Sequence, residues 1–429
     1  MRLLKSSFLF LVLVFGFAAC AGQSIFPPIP LTLSPVVLAN PIAMATNNAS
    51  QRLYVVNSNN LVLWADASFV IMDITNPVAP TTIAAISIPN FSGNIILDET
   101  RGYVYLPNRQ SSSNADLVDQ VLRININEAS PDFLKVEFFD SGADPFGAFF
   151  DGMNSLYVIA DQEALRYDVN NLLGFSKVDL NVTTAQGRLI KAQDTRETAL
   201  SPSGNFLFVT NRTDSMLILN TNEMTAPTTA GELDLGTEPV DYIVDGTNST
   251  RGATRDSKFI YIVDGSPSAL RIMTDASLSP VSGAPQEITT GSLQVAAIPL
   301  GRNPGEVLLD EPNARAYVSN TDDDNISVID LNLQTEITRL AVDINLPANI
   351  DPGDQPFPLA VANVSGTNYL YVGNFFSNNI TVFNADTLQL VSAFPDIPPF
   401  VDQIPSNNTN STNGFSGTFS PGFTGTSGL

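Results

Sequence analysis

Short apolar runs closed by a polar turn residue recur along the chain, at a near-constant interval. Tyr54–Asn57 (YVVN), Tyr105–Asn108 (YLPN), Tyr157–Ala160 (YVIA), Phe208–Asn211 (FVTN), Tyr261–Asp264 (YIVD), Tyr317–Asn320 (YVSN) and Tyr371–Asn374 (YVGN) begin 51 to 56 positions apart. Each is followed by a second run: Val70–Asp73, Leu122–Asn125, Leu165–Asp168, Leu217–Asn220, Leu270–Met273, Ser327–Asp330 or Thr381–Asn384. These runs are β-branched or aromatic-rich and bounded by Asn, Asp and Ser, which predicts strands joined by hairpins. A third signal, Gly-x-x-Pro, stands upstream at Gly142–Pro145, Gly236–Pro239, Gly301–Pro304 and Gly353–Pro356, with a degenerate copy at Leu38–Pro41. Gly allows a tight turn and Pro lacks the N–H that a central strand must donate, so the motif marks the start of a strand. Seven copies at this period predict a repeat fold whose unit is a four-stranded blade.

Together these elements resemble the YVTN family of β-propeller repeats. The stretch from Gly301 to Leu340 carries Gly-x-x-Pro, Tyr-Val-x-Asn and Ser-Val-Ile-Asp in the family's order, and Gln355 to Val391 follows the same plan. The resemblance spans residues 37–394 and implies an all-β, seven-bladed propeller with four-stranded blades. It implies a scaffold rather than a chemistry, because members share the fold and not one activity. The middle units are more divergent. Tyr157–Ala160 lacks the Asn, and the fifth unit reads as carrying a loop insertion near Gly246–Asp256. Ring closure is expected to pair a strand near Leu31–Leu38 with blade-seven strands near Leu388–Phe394, protecting sheet edges.

The flanks have a different character. Arg2 and Lys5 precede an apolar run, Phe8–Phe17, then Ala18, Ala19 and Cys20, the sole cysteine. This is the anatomy of a secretory signal, too short to span a bilayer comfortably. A cysteine directly after small residues resembles the lipobox of bacterial lipoproteins, which implies acylation of Cys20 after removal of residues 1–19. Ala21, where an Asp would imply inner-membrane retention, implies the outer membrane. Residues 20–36 then form a lipidated tether and first-strand region, and residues 395–429, rich in Pro, Asn, Ser, Thr and Gly, read as a disordered tail. The chain is expected to be an exported, envelope-anchored monomer.

Charge and composition narrow the function. The formal net charge of −23 opposes phosphate-backbone recognition, so no nucleic-acid partner is expected. Histidine is absent, which removes Ser-His-Asp triads, His-bearing zinc sites and His-ligated haem. One Trp is too few for the Trp-rich blades of quinone-dependent dehydrogenases. What remains is a membrane-anchored, non-enzymatic binding scaffold for an envelope protein or polysaccharide. The alternative is a lactonase-like hydrolase using carboxylates at the central channel mouth.

Propeller ligands sit where loops from all blades converge. The positions just before each innermost strand are expected to be Asn40, Asp144, Glu238, Asn303 and Gln355, forming either a polar ring or ordinary turn chemistry. A hydrolase would draw on Asp144, Glu238, Arg302 and Asn303. No cofactor is required. Asp322, Asp323 and Asp324 form the densest acidic cluster, and calcium is the one metal it leaves open, although the spacing matches no known loop. Phe146, Phe357, Phe375 and Phe376 are inter-blade packing or, for the last two, a binding patch.

Overall fold

The seven sequence repeats fold into seven antiparallel sheets arranged as blades, with almost no helix. The structure, a computed structural model, describes residues 25–26, 38–58, 67–89, 91–109, 119–247, 249–342 and 354–394. Cys20, the segment 1–19, residues 31–37 of the expected closing strand and the tail 395–429 lie outside the described residues. Counting blades I to VII along the chain, the first strands are Pro41–Asn47, Ile96–Asp98, Gly147–Phe150, Thr195–Leu200, Thr250–Arg255, Pro304–Asp310 and Pro356–Val364. Residues from all seven line one central channel of about 360 Å³, so these are the innermost strands.

The repeated motif is the second strand of each blade, and its residues explain themselves. The aromatic first position is buried between neighbouring blades; Tyr105, Tyr261, Tyr317 and Tyr371 are completely enclosed. Such burial contributes about 1.5–3 kcal/mol per large side chain. The closing Asn ties three strands together. Asn320 Oδ1 accepts from Gly301 N at 2.9 Å, ahead of the innermost strand, while Nδ2 donates to Ser327 Oγ on the third strand at 2.8 Å. Asn57 repeats both bonds with Ala39 N and Ser68 Oγ, and Asn374 donates to Thr381 Oγ1. The motif is therefore a hydrogen-bonding device buried in every well-formed blade.

Two expectations need correction in blades IV and V. Gly236–Pro239 does not lead into an innermost strand; it precedes Val240–Asp245, the strand of blade IV that pairs with Met216–Asn220. The innermost strand of blade V is Thr250–Arg255, inside the segment read as a loop insertion. The reason is physical. Gly-x-x-Pro reports any tight turn into a strand, whereas Thr250–Arg255 (TRGATR) faces the channel and has no apolar alternation to reveal it. Two blades also gain a fifth strand in parallel: Gly231–Asp234 on blade III and Gln286–Thr289 on blade IV. Each comes from the following repeat and clasps the preceding blade.

Closure within the described residues is by packing and side-chain hydrogen bonds between blades I and VII. Asn40 Nδ2 donates to Phe375 O at 2.8 Å, Asn40 N to Asn378 Oδ1 at 2.6 Å, and Thr46 Oγ1 to Val361 O at 2.6 Å. Gln389–Phe394 is the fourth strand of blade VII and pairs with Asn379–Asn384. Ile25–Phe26, in the segment read as a tether, pairs with Val136–Asp140 of blade II.

Candidate functional site at the channel mouth

The backbone at the start of the innermost strands follows one pattern. Asn40, Asp144, Asp194, Ser249, Asn303 and Gln355, in blades I and III to VII, all have a left-handed φ between 50° and 60°. Short polar residues tolerate this region best, which accounts for most of these identities. In blades IV to VII a bulge follows, two residues facing one on the second strand. Thr195 pairs with Asn211 and Thr198 with Val209, which places Arg196 and Glu197 opposite Thr210 alone. The same shift sets Arg251 and Gly252 opposite Val263, Gly305 and Glu306 opposite Ser319, and Phe357 and Pro358 opposite Gly373. Bulges re-aim side chains, and they concentrate beside functional sites.

The middle residue of the sequence motif holds the bulge. Thr210 Oγ1 accepts from Glu197 N at 2.8 Å, and Ser319 Oγ accepts from Glu306 N at 3.0 Å. In blade VII the bulge residue Pro358 has no N–H to satisfy, and its partner is Gly373. A Cβ on Gly373 would lie 2.5 Å from Pro358 Cγ, so glycine is required there.

The bulges bring charged side chains from blades IV, V and VI to one place. Arg196, Glu197, Arg212, Arg251, Glu306, Asn94, Phe146 and Phe357 line a small cavity of about 30 Å³. Asn94, Glu197, Gly252 and Glu306 also line the central channel, so they form the neck between mouth and channel. Asn94 Nδ2 donates to Glu197 Oε2 at 2.9 Å across the ring, and Glu306 Oε2 accepts from Leu359 N at 3.1 Å. Both glutamates keep some contact with channel solvent yet are surrounded by protein. Burial pushes Glu197 up to about 7, against the opposing pull of Asn94 and Arg196. Glu306 is raised well above the carboxylate range by burial and then by the Glu197 charge.

Behind the glutamates sits an arginine cluster sharing one carboxylate. Asp194 accepts from Arg109 Nη1 at 2.8 Å, pairs with Arg212 Nη1 at 3.1 Å and contacts Arg196 Nη2. Burial alone would raise Asp194, but Arg196, Arg212 and Arg109 hold it below the usual range. The guanidinium of Arg196 stands 4.6 Å over the Phe146 ring, and Arg251 contacts Asn303 and Pro304 O. Burial, then repulsion from Arg212, pushes Arg251 down to about 10.

The sequence-predicted positions fall differently. Asn40 and Phe375 are buried in the blade I–VII contact, and Phe376 packs against the same core. Gln355 N donates to Asp324 Oδ1, so its backbone ties blade VII to blade VI. Asp144 is half-buried, raised by burial, and its N–H donates to Asp119 Oδ1. Asn303 touches the mouth through Arg251. Glu238 is exposed ahead of the outer strand of blade IV, and Arg302 is exposed and paired with Asp323. Asp144, Glu238, Arg302 and Asn303 therefore do not converge as one set. The acidic cluster is also divided: Asp322 accepts from Asn303, Asp323 from Arg302 and Asp324 from Gln355. No group of three metal-ligating side chains forms among the described residues. The residues missed were Arg196, Glu197, Arg251 and Glu306. Their signal was charge inside short strands that are otherwise apolar or small, two and three residues beyond the left-handed residues Asp194, Ser249 and Asn303.

No family model matches the chain, and no curated protein matches it in sequence. Among solved structures it is similar to Kuenenia stuttgartiensis hydrazine synthase, with a TM-score of 0.56 and 13% identity. That alignment covers 84% of this chain and 99% of the other. At this identity the likeness concerns the propeller fold alone.

Proposed function

We propose that the chain is an envelope-anchored, YVTN-like propeller that binds a small polar solute, or one terminal group of an envelope protein or glycan, in its channel mouth. The observation that carries this reading is the convergence of Arg196, Glu197, Arg251 and Glu306 on one cavity. The same backbone device in blade VII carries Phe357 and Pro358, so the bulge does not require charge. Burying Arg196 and half-burying Glu197, Arg251 and Glu306 costs free energy, and perturbed ionisable groups of this kind cluster at functional sites. A cavity of about 30 Å³ admits a group the size of one or two waters, which favours a single functional group over a polymer segment. Anchoring through a lipid on Cys20 would hold the ring at the outer membrane, its thin acidic surface keeping it dispersed.

The test is equilibrium dialysis of the mature protein against envelope extract, with retained solutes read by mass spectrometry. The wild type is expected to retain a solute that the Glu197→Gln and Glu306→Gln variants release. Identical retention profiles for all three proteins would remove the mouth as the site.

A second reading rests on the two glutamates. With Glu197 titrating near neutrality and Glu306 held protonated, the pair matches a hydrolytic division of labour. Glu197 would take a proton from water attacking an ester or lactone carbonyl, and Glu306 would give one to the departing oxygen. This reading expects hydrolysis of a chromogenic ester panel with a pH limb near 7, abolished in Glu197→Gln. Equal turnover by wild type and variant excludes it.

A further inference from the structure

Four guanidinium groups gather at the mouth. Arg109, Arg196 and Arg212 meet at a single carboxylate, Asp194, and Arg251 adds a fourth guanidinium nearby. Their mutual repulsion is felt: Arg196 is pushed well below its ordinary range by burial and then by Arg109. Guanidinium does not lose its proton in proteins, so all four stay charged, with Asp144 acting on Arg109 and Arg196 and Asp322 on Arg251 from nearby. All this occurs in a chain whose net charge is −23, where a positive cluster cannot be a by-product of composition.

One side chain points to a ligand directly. Arg196 is 3% exposed and lines the mouth, and its Nε and Nη1 have no hydrogen-bond partner. A buried donor left unsatisfied costs about 1–3 kcal/mol, more when charged. Phe146 stands over one face of the guanidinium and Nη2 meets Asp194, which leaves Nε and Nη1, on separate edges, for incoming acceptors. A charged N–H of this kind is a strong donor to a carboxylate or phosphate oxygen.

Resting on the reading of the mouth as a binding site, we infer that its ligand carries an oxyanion, a carboxylate or phosphate group received by Arg196 with Arg212 and Arg251 flanking it. The rest of the solute then meets the carboxyls of Glu197 and Glu306, which line the same cavity and can hydrogen-bond hydroxyls.

Calorimetric titration of the mature protein with inorganic phosphate and, separately, acetate tests this, with chloride at matched ionic strength as control and glycerol as neutral probe. At least one oxyanion is expected to bind at a single site, at least tenfold more tightly than chloride. Phosphate alone would assign a phosphorylated solute, acetate alone an organic acid, and both an unselective oxyanion pocket. Arg196→Gln should weaken binding tenfold or more and Arg251→Gln several-fold, the second variant serving if the first does not fold. Glu238→Gln should leave binding unchanged. If neither oxyanion binds but dialysis retains an uncharged solute, the oxyanion inference is overturned and the binding site stands. If nothing binds and nothing is retained, both fall.

Discussion

Blades IV and VII use the same backbone device for opposite ends. Each innermost strand begins with a left-handed residue and then bulges, two residues against one. In blade IV the bulge holds Arg196 and Glu197 and is pinned by the Thr210 hydroxyl. In blade VII it holds Phe357 and Pro358, needs no pin, and closes on Gly373. The difference teaches which part of the motif belongs to the fold. The bulge is structural, because it survives with purely apolar occupants. The charges in blades IV to VI are additions that the propeller does not need.

The comparison can be broken at either blade. The largest effect is expected from Gly373→Thr, which drives a side chain into the Pro358 ring and should cost about 3 kcal/mol in chemical denaturation. Pro358→Ala in that background should restore part of the loss, and no rescue would mean that the two residues do not oppose each other. Thr210→Val removes the acceptor for Glu197 N while keeping the shape. It should cost about 2 kcal/mol, whereas Val263, already at this place in blade V, shows that the bulge itself persists.

Glu197→Gln tests the added charges and carries a definite sign. A carboxyl raised by folding binds its proton more tightly in the native state. Its favourable contribution is therefore full below the unfolded value near 4.5 and is lost as pH rises through about 7. Channel water screens part of that penalty, so the variant should be more stable than wild type by about 1–2 kcal/mol at pH 8. The two should be equal at pH 4, and a stabilisation independent of pH would contradict the assignment. The smallest effect is expected for Glu238→Gln, within about 0.5 kcal/mol at any pH, because that side chain is exposed on the outer part of blade IV.

Much of the fold was legible because the motif residues are the ones that build it. Tyr317, Asn320 and Ser327 are buried and hydrogen-bonded within a blade, so their period appears directly as blade count. The channel side was far less legible. Innermost strands line a channel of mixed apolar and polar character and need no alternation, so Thr250–Arg255 read as a loop and Glu238 took its place in the predicted ring. In blades VI and VII the predicted Asn303 and Gln355 also sat three and two residues ahead of Glu306 and Phe357, which line the mouth. Left-handed residues such as Asn40 spend their side chains on the neighbouring blade, here Phe375 O, and the bulge that follows turns the next pair inward. A bulge leaves the pattern on both sides intact, so nothing in the order of residues announces it. Glu306 stood in view in the best repeat copy, yet only the pairing of Pro304 with Asn320 and Val307 with Val318 shows where it lies.

Glu197 and Glu306 share one enclosed mouth rather than two open loops. Carbon-13 NMR titration of the side-chain carboxyls, assigned by difference with Glu197→Gln and Glu306→Gln, tests it most directly. Glu197 is expected to titrate near 7 and Glu306 to stay protonated well above the usual carboxylate range. Titration of both groups between about 4 and 5, as for solvated carboxyls, would contradict it.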